Sequence, residues 1–251
     1  MSQSPSSRLL RWAACYNVRD LGGYPTADGR ETAYHAYVRA DNLVRLTPIG
    51  QQALRDYGIH TIIDLRAPHE LQSYPNPFAA STKEYDGITF INLRFGDGAE
   101  ATAVALVEAA PSAAAYYPLV LRHFRSGVAR VISTIAAVED GGVLFHCHAG
   151  KDRTGIVAAL LLGVAGVPTE TIVADYVLSA EALRPHDEEL LADEPDPVLR
   201  EQLLLKWSAK PEAMQALLEH IDDDYGGIEK YLIDSGVTEA EIMRLRSRLL
   251  S

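Results

Sequence analysis

The stretch from Val143 to Ala165 constrains this chain more than any other. Its first part, Val143 to His146, is an apolar run with the length of a short buried strand. A turn holding Gly150 and Gly155 then leads into Ile156–Ala165, which is apolar all round. A helix without a polar face has to be a core helix, so it needs a sheet on one side and further helices on the other. The preceding segments supply that sheet. Tyr34–Arg39, Ile59–Leu65 and Ile88–Leu93 are rich in β-branched or aromatic residues and read as strands. Between the first two, Thr47-Pro48 gives an N-cap and a first-turn proline, with Gly58 as the stop of a short helix. Residues 99–137 start Ala-rich and read as helical. Strand-helix alternation around a buried helix predicts an α/β fold, an open central sheet covered on both faces.

The last third is expected to be helical. Thr169–Ala182, the set Met214, Leu217, Leu218, Ile221 and Tyr225, and the set Ile242, Leu245 and Leu249 follow helical spacing. Thr238 and Glu241 have the capping-box arrangement. Arg184–Pro211 contains Pro185, Pro195, Pro197 and Pro211, and predicts short helices broken by prolines, a lid or a static helical insertion. The 251 residues are expected to form one domain, with residues 1–12 flexible.

Composition narrows the partners. Lys+Arg 23 against Asp+Glu 34 gives a formal charge of −11, which argues against nucleic acid or an anionic membrane surface as the main partner. No apolar run approaches the roughly 20 residues of a bilayer span, and the Ser-containing start lacks the apolar region of a secretory signal. The expected setting is cytoplasmic, or export without a recognisable signal. The two cysteines, Cys15 and Cys147, lie far apart and make no disulfide framework. Cys15, without a chemical neighbour, is expected to be structural.

The chemistry converges on His146-Cys-His-Ala-Gly-Lys-Asp-Arg-Thr-Gly155. A thiol ends a buried strand, and an arginine follows six positions later at the start of a helix. The five residues between them can curl so that backbone N–H groups face inward, an anion-binding nest backed by the helix N-terminus. Arg153 closes the ring with a planar fork suited to two phosphate oxygens. The same electropositive cup suits a thiolate, because a helix N-terminus and a nearby cation bring thiols from about 8.5 down to roughly 3.5–7.5. The plain rival is an inert core cysteine followed by surface charges at Lys151, Asp152 and Arg153.

This loop resembles the HCX5R phosphate loop of the Cys-dependent phosphatases. With Asn17-Val-Arg-Asp-Leu-Gly-Gly23 and Ile62-Ile-Asp-Leu-Arg66 it resembles a bacterial branch of the protein-tyrosine and dual-specificity phosphatases. The resemblance implies a tyrosine-phosphatase-like fold, no metal or other cofactor, and a covalent cysteinyl-phosphate intermediate. The substrate it implies is a phosphorylated protein or a phosphoinositide. Cys147 is then the nucleophile, with His148, Ala149, Gly150, Lys151, Asp152, Arg153 and Thr154 around the phosphate and Thr154 toward the departing sulfur. The chain contains no Trp-Pro-Asp tripeptide, so Asp152 is the first candidate for the general acid, Asp64 the second and Asp97 the third. Arg66 and His146 are secondary candidates, His146 for a hydrogen bond within the loop. Lys151 resembles the lysine with which lipid phosphatases bind inositol phosphates. Asn17, Arg19 and Asp20 serve either to brace the site's floor or to staple a turn.

Two rivals of other classes are a phosphate-recognition module without turnover and a rhodanese-type sulfurtransferase. The intact set Cys147, Asp152, Arg153 and Thr154 disfavours the first, and the Gly-Lys-Asp-Arg-Thr-Gly stretch disfavours the second. Residues 96–101 formally match a dinucleotide fingerprint but lack the later acid. His146 and His148 lack the spacing of a metal pair, and Asp222–Asp224 lacks the later Glu of a calcium loop.

Overall fold

A computed structural model describes residues 8–81 and 86–250. Five strands form one sheet in the order β1-β2-β5-β3-β4: β1 is Arg19–Asp20, β2 Tyr37–Ala40, β3 Ile59–Asp64, β4 Thr89–Asn92 and β5 Gly142–His146. All neighbours pair in parallel except β1, which runs antiparallel to β2 at the edge. Parallel strands need crossovers, and helices supply them: α1 (Pro48–Asp56), α2 (Pro68–Ser73), α3 (Ala101–Glu108), α4 (Ala113–His123) and α5 (Arg125–Ala136). The helical stretch expected over 99–137 is thus three helices.

Side chains alternate across the sheet, as the period of two requires. Tyr37, Ile63, Val143 and Phe145 face the larger core, whereas Val38, Ile62 and Leu144 face a smaller one with Leu10, Trp12, Leu43 and Leu54. The larger core is completed by α6 (Asp152–Val164), α7 (Thr169–Leu190), α9 (Pro211–Tyr225), α10 (Ile228–Asp234) and α11 (Glu239–Leu249). Residues Ile156 to Leu162 of α6 are all buried, the all-round apolar helix expected. Both faces of the sheet are covered, and the fold is α/β.

Caps follow the sequence closely. The Thr47 side chain accepts from the Gly50 amide with Pro48 opening α1, and Thr238 and Glu241 cap α11 reciprocally. Two expectations need correction. Pro185 does not break a helix: α7 continues through it to Leu190, while Pro197 and Pro211 open α8 (Pro197–Trp207) and α9. Pro185 and Glu181 are both exposed, so the carbonyl that loses its N–H partner lies on the solvent side. Leu10 and Trp12, inside the N-terminal stretch expected to be flexible, are buried in the smaller core. Residues 1–7 of that expectation lie outside the described residues. Among the described residues, no helix is long and apolar enough to cross a membrane.

Candidate active site

Register brings the chemistry to one sheet edge. Ala40 of β2 and Asp64 of β3 both align with His146, the last residue of the central strand β5. The segments Asp41–Asn42, Leu65–Ala67 and Cys147–Lys151 therefore leave the sheet side by side, at the carboxyl ends where open parallel sheets place their ligands.

Outward bonds hold the loop after β5. The His148 carbonyl accepts from the backbone and side-chain amides of Asn42 at 2.9 and 3.0 Å. Asn17 Nδ2 donates to the carbonyls of Ala149 and Gly150, each at 3.1 Å, and Arg39 Nη2 donates to Gly150 O at 2.8 Å. In a trans peptide the N–H points opposite to the C=O. Drawing these three carbonyls outward turns the amides of Ala149, Gly150 and Lys151 inward. Gly150 itself has φ +65, and a Cβ there would lie 2.4 Å from Ala40 O, so only glycine suits both the turn and the close approach.

Charge is buried beneath the loop. Arg19 Nε and Arg39 Nη1 both pair with Asp175 of α7, at 2.7 and 2.5 Å, and all three side chains are almost wholly buried. Tyr24 and Ser179 add hydrogen bonds to the cluster. Burial pushes the Asp175 carboxyl up, but the two guanidiniums outweigh it and hold it well below the usual range. The N-terminal motif thus divides its work. Asn17 and Arg19 reach the loop and its support, whereas Asp20 accepts from the Gly22 and His35 amides and from Tyr57, stapling a turn.

Cys147 lies at the loop's start, 3 % exposed. Thr154 in the first turn of α6 is fully buried, and its hydroxyl has no hydrogen-bond partner among the described residues. Arg153 donates from Nη1 and Nη2 to the two carboxylate oxygens of Glu70 at 2.6 and 2.8 Å. Glu70 is in turn pinned by the Ala67 amide. Burial raises the Glu70 carboxyl, but Arg153 overrides this and lowers it to about 2. Two of the five guanidinium donors face Glu70, which fixes the plane while leaving Nε–H for a phosphate oxygen. Asp152 Oδ1 accepts from Tyr117, and Lys151 Nζ donates to Trp207 O at 2.7 Å while lying 3.8 Å from Asp152 Oδ2. His148 packs edge-on to Tyr74, and burial lowers its imidazole below its ordinary value.

Other candidates fall elsewhere. Asp64 is fully buried and held by Arg66, with its Oδ2 3.3 Å from His146 Nε2 and 3.0 Å from Asn76 Nδ2. Burial raises its carboxyl, but His146 and Arg66 outweigh that and hold it far below the usual range. His146 also donates from Nδ1 to the Cys147 carbonyl, the bond within the loop that was expected of it. Asp97 pairs with Arg94 and does not line the cleft beside the loop. Cys15 packs against the smaller core with its sulfur 3.7 Å from Asn42 O, and burial pushes its thiol up.

Sequence reading missed Glu70, Arg39, Asn42, Asp175, Tyr117 and Tyr176. Glu70 carried a local signal: Ala67-Pro-His-Glu70 places proline first and glutamate third in a helix just after Arg66. Asp175, Tyr117 and Tyr176 carried none, because a residue in a helical run reveals nothing of its partners across the core.

A cleft of about 960 Å³ opens beside the loop, lined by Glu70, Lys151, Asp152 and Arg153 and walled by apolar residues of α3, α4 and α8. Arg94, Lys206 and Lys210 also line it, together with Glu108 and Glu212. The assembly is a nucleophile-bearing loop, an anion nest and an arginine opening a helix, which together can transfer a phosphoryl group.

Comparison with known proteins agrees with this geometry. The chain is 36% identical over 221 residues to a tyrosine-protein phosphatase of Nostoc commune, covering 85% of this chain and 74% of that protein. It is 29% identical over 272 residues to the triple specificity protein phosphatase PtpB of Mycobacterium tuberculosis, covering 94% and 96%. The sequence profile of the tyrosine phosphatase family matches residues 10–251, so nearly all of this chain, the loop and its supports included, belongs to the tyrosine phosphatase family.

Proposed function

We propose that the protein hydrolyses phosphomonoesters through a cysteinyl-phosphate intermediate, with phosphotyrosine as a substrate and phosphoserine, phosphothreonine and phosphoinositides as further substrates. One observation carries the reading. Cys147, Asp152, Arg153 and Thr154 occupy one loop and helix start in which the His148, Ala149 and Gly150 carbonyls are tied outward.

In the first step Cys147 Sγ attacks phosphorus in line, while Arg153 and the inward amides bind the equatorial oxygens. Asp152 gives its proton to the leaving oxygen as the P–O bond breaks. In the second step Asp152 takes a proton from water, whose oxygen attacks phosphorus, and the sulfur leaves with a hydrogen bond from Thr154. Asp152 suits this role better than Asp64, since its side chain is about a third exposed and lines the cleft. Asp64 is sealed among Arg66, His146 and Asn76, which favour its ionised form and leave it no proton to donate. Lys206 and Lys210, in a cleft lining that also holds Glu108 and Glu212, support an acidic group on the substrate beyond the scissile phosphate, and the cleft's volume of about 960 Å³ supports more than one substrate class.

The test is a side-by-side turnover panel of phosphotyrosine peptides, phosphoserine peptides and short-chain phosphoinositides, run with the native protein and Cys147→Ser. The reading predicts turnover by the native protein and none by Cys147→Ser, which retains substrate binding. Binding without turnover by the native protein would instead make the chain a phosphate-recognition module.

A further inference from the structure

Asp152 makes a hydrogen bond that the mechanism does not use. Tyr117, on α4, places its hydroxyl 2.8 Å from Asp152 Oδ1, and the same hydroxyl lies 2.8 Å from that of Tyr176 on α7. A phenol has one proton, and a carboxylate oxygen without a proton can only accept. Tyr117 therefore donates to Asp152, and Tyr176 donates to Tyr117. The geometry is built rather than incidental. Both rings are buried, at 0% and 1% exposure, and they meet edge to face with centroids 6.1 Å apart. A Cβ at Gly155 would press on the Tyr176 ring at 3.2 Å, so the second glycine of the loop motif makes room for this tyrosine. Burial, with Asp152 nearby, raises both phenols above their ordinary values, so each keeps its proton through the neutral range.

We propose that Tyr117, backed by Tyr176, is a positioning residue for the general acid: it occupies Oδ1 of Asp152 and confines the transferable proton to Oδ2. The proposal rests on Asp152 as the acid. In the first step the Oδ2–H proton passes to the leaving oxygen while the S–P bond forms and the P–O bond breaks. Asp152 becomes a carboxylate, and the bond from Tyr117 becomes charge-assisted and stronger. An interaction stronger in the transition state than in the ground state raises kcat. When Asp152 takes the proton back from water, the same bond weakens, so Tyr117 does not speed hydrolysis of the intermediate. Its effect is confined to the first step and grows as the leaving group worsens.

The experiment compares the native protein with Tyr117→Phe, Tyr176→Phe, Asp152→Asn and the double variant Tyr117→Phe/Asp152→Asn. The substrates are aryl phosphates graded from p-nitrophenyl phosphate to phenyl phosphate, with vanadate inhibition measured for each variant. Tyr117→Phe should lower kcat on phenyl phosphate roughly tenfold. On p-nitrophenyl phosphate the change should be small, with KM and vanadate inhibition preserved. Tyr176→Phe should show a smaller loss with the same leaving-group trend. In the Asp152→Asn background, Tyr117→Phe should cost nothing further. Equal losses across leaving groups, or an additive loss in the double variant, would overturn the proposal and leave Tyr117 a packing residue. Leaving-group dependence in Asp152→Asn but not in Tyr117→Phe would overturn the proposal alone. Its absence in Asp152→Asn would remove the acid assignment and the proposal with it. Should Tyr117→Phe fail to fold, Tyr176→Phe carries the same comparison.

Discussion

Thr154 is buried at the first turn of α6 with a hydroxyl that no group among the described residues satisfies. A buried polar group without a partner is costly, and it persists where a ligand or reacting group completes it. Thr154→Val keeps the shape and removes the donor. It should slow hydrolysis of the intermediate by roughly 10- to 100-fold, the worth of a hydrogen bond to a charged group. A larger burst in rapid-mixing traces of p-nitrophenyl phosphate would report it, and an unchanged burst would count against the donor role. Gly150→Ala tests the frame around this chemistry. A Cβ 2.4 Å from Ala40 O, on a residue with φ +65, has to displace the loop, so oxyanion inhibition and turnover should both collapse while far-UV circular dichroism stays native. At this scale Cys147 and Arg153 were legible because their six-residue spacing is local. Glu70 could be read as the third residue of a helix start, but its bond to Arg153 could not, because a salt bridge across 83 residues marks neither segment as the other's partner.

Among the elements, α7 connects the buried charge cluster to the loop. Asp175 pairs with both Arg19 and Arg39, which in turn hold Asn17 and the Gly150 carbonyl. Asp175→Asn leaves two guanidiniums buried without their counter-charge, a loss of about 3–5 kcal/mol. For a chain of this size that lowers Tm by about 10 °C, readable by calorimetry. Phosphate affinity should fall with it, since the loop loses its tether, whereas an exposed pair such as Arg184–Glu188 should cost under about 1 kcal/mol when broken. The strands β2, β3, β4 and β5 were legible from their β-branched and aromatic runs, within three residues at each end. β1, two residues long, was not, since Arg19 and Asp20 are polar and pair only at an edge. Pro185 misled because the carbonyl it frees, that of Glu181, lies on the exposed face of α7, where water can satisfy it.

Three carboxyls in and beneath the site are held low by cations: Glu70 at about 2, with Asp64 and Asp175 lower still. Each binds fewer protons folded than unfolded, so its contribution is complete only above about pH 5 and fades as the pH falls from the unfolded value through the folded one. Burial shifts Asp20 and Asp41 upward instead, which opposes the trend only over their own range. Thermal melts should therefore change little from pH 7 to 5 and drop steeply below about pH 4. A flat profile down to pH 2 would contradict the pairing. The α/β fold followed from the all-round apolar helix, which left few arrangements open. The convergence of Asn17, Asn42 and Arg39 on one loop depended on strand order, and no segment of sequence encodes that alone.

The central claim is that Cys147 takes the phosphoryl group itself. Acid-quenching the native protein during turnover of p-nitrophenyl phosphate, followed by mass spectrometry of its peptides, tests this most directly. The account predicts one added phosphoryl group on the peptide containing Cys147, absent in Cys147→Ser, which has also lost turnover. Undiminished turnover by Cys147→Ser, or a phosphoryl group trapped on another residue, would contradict it.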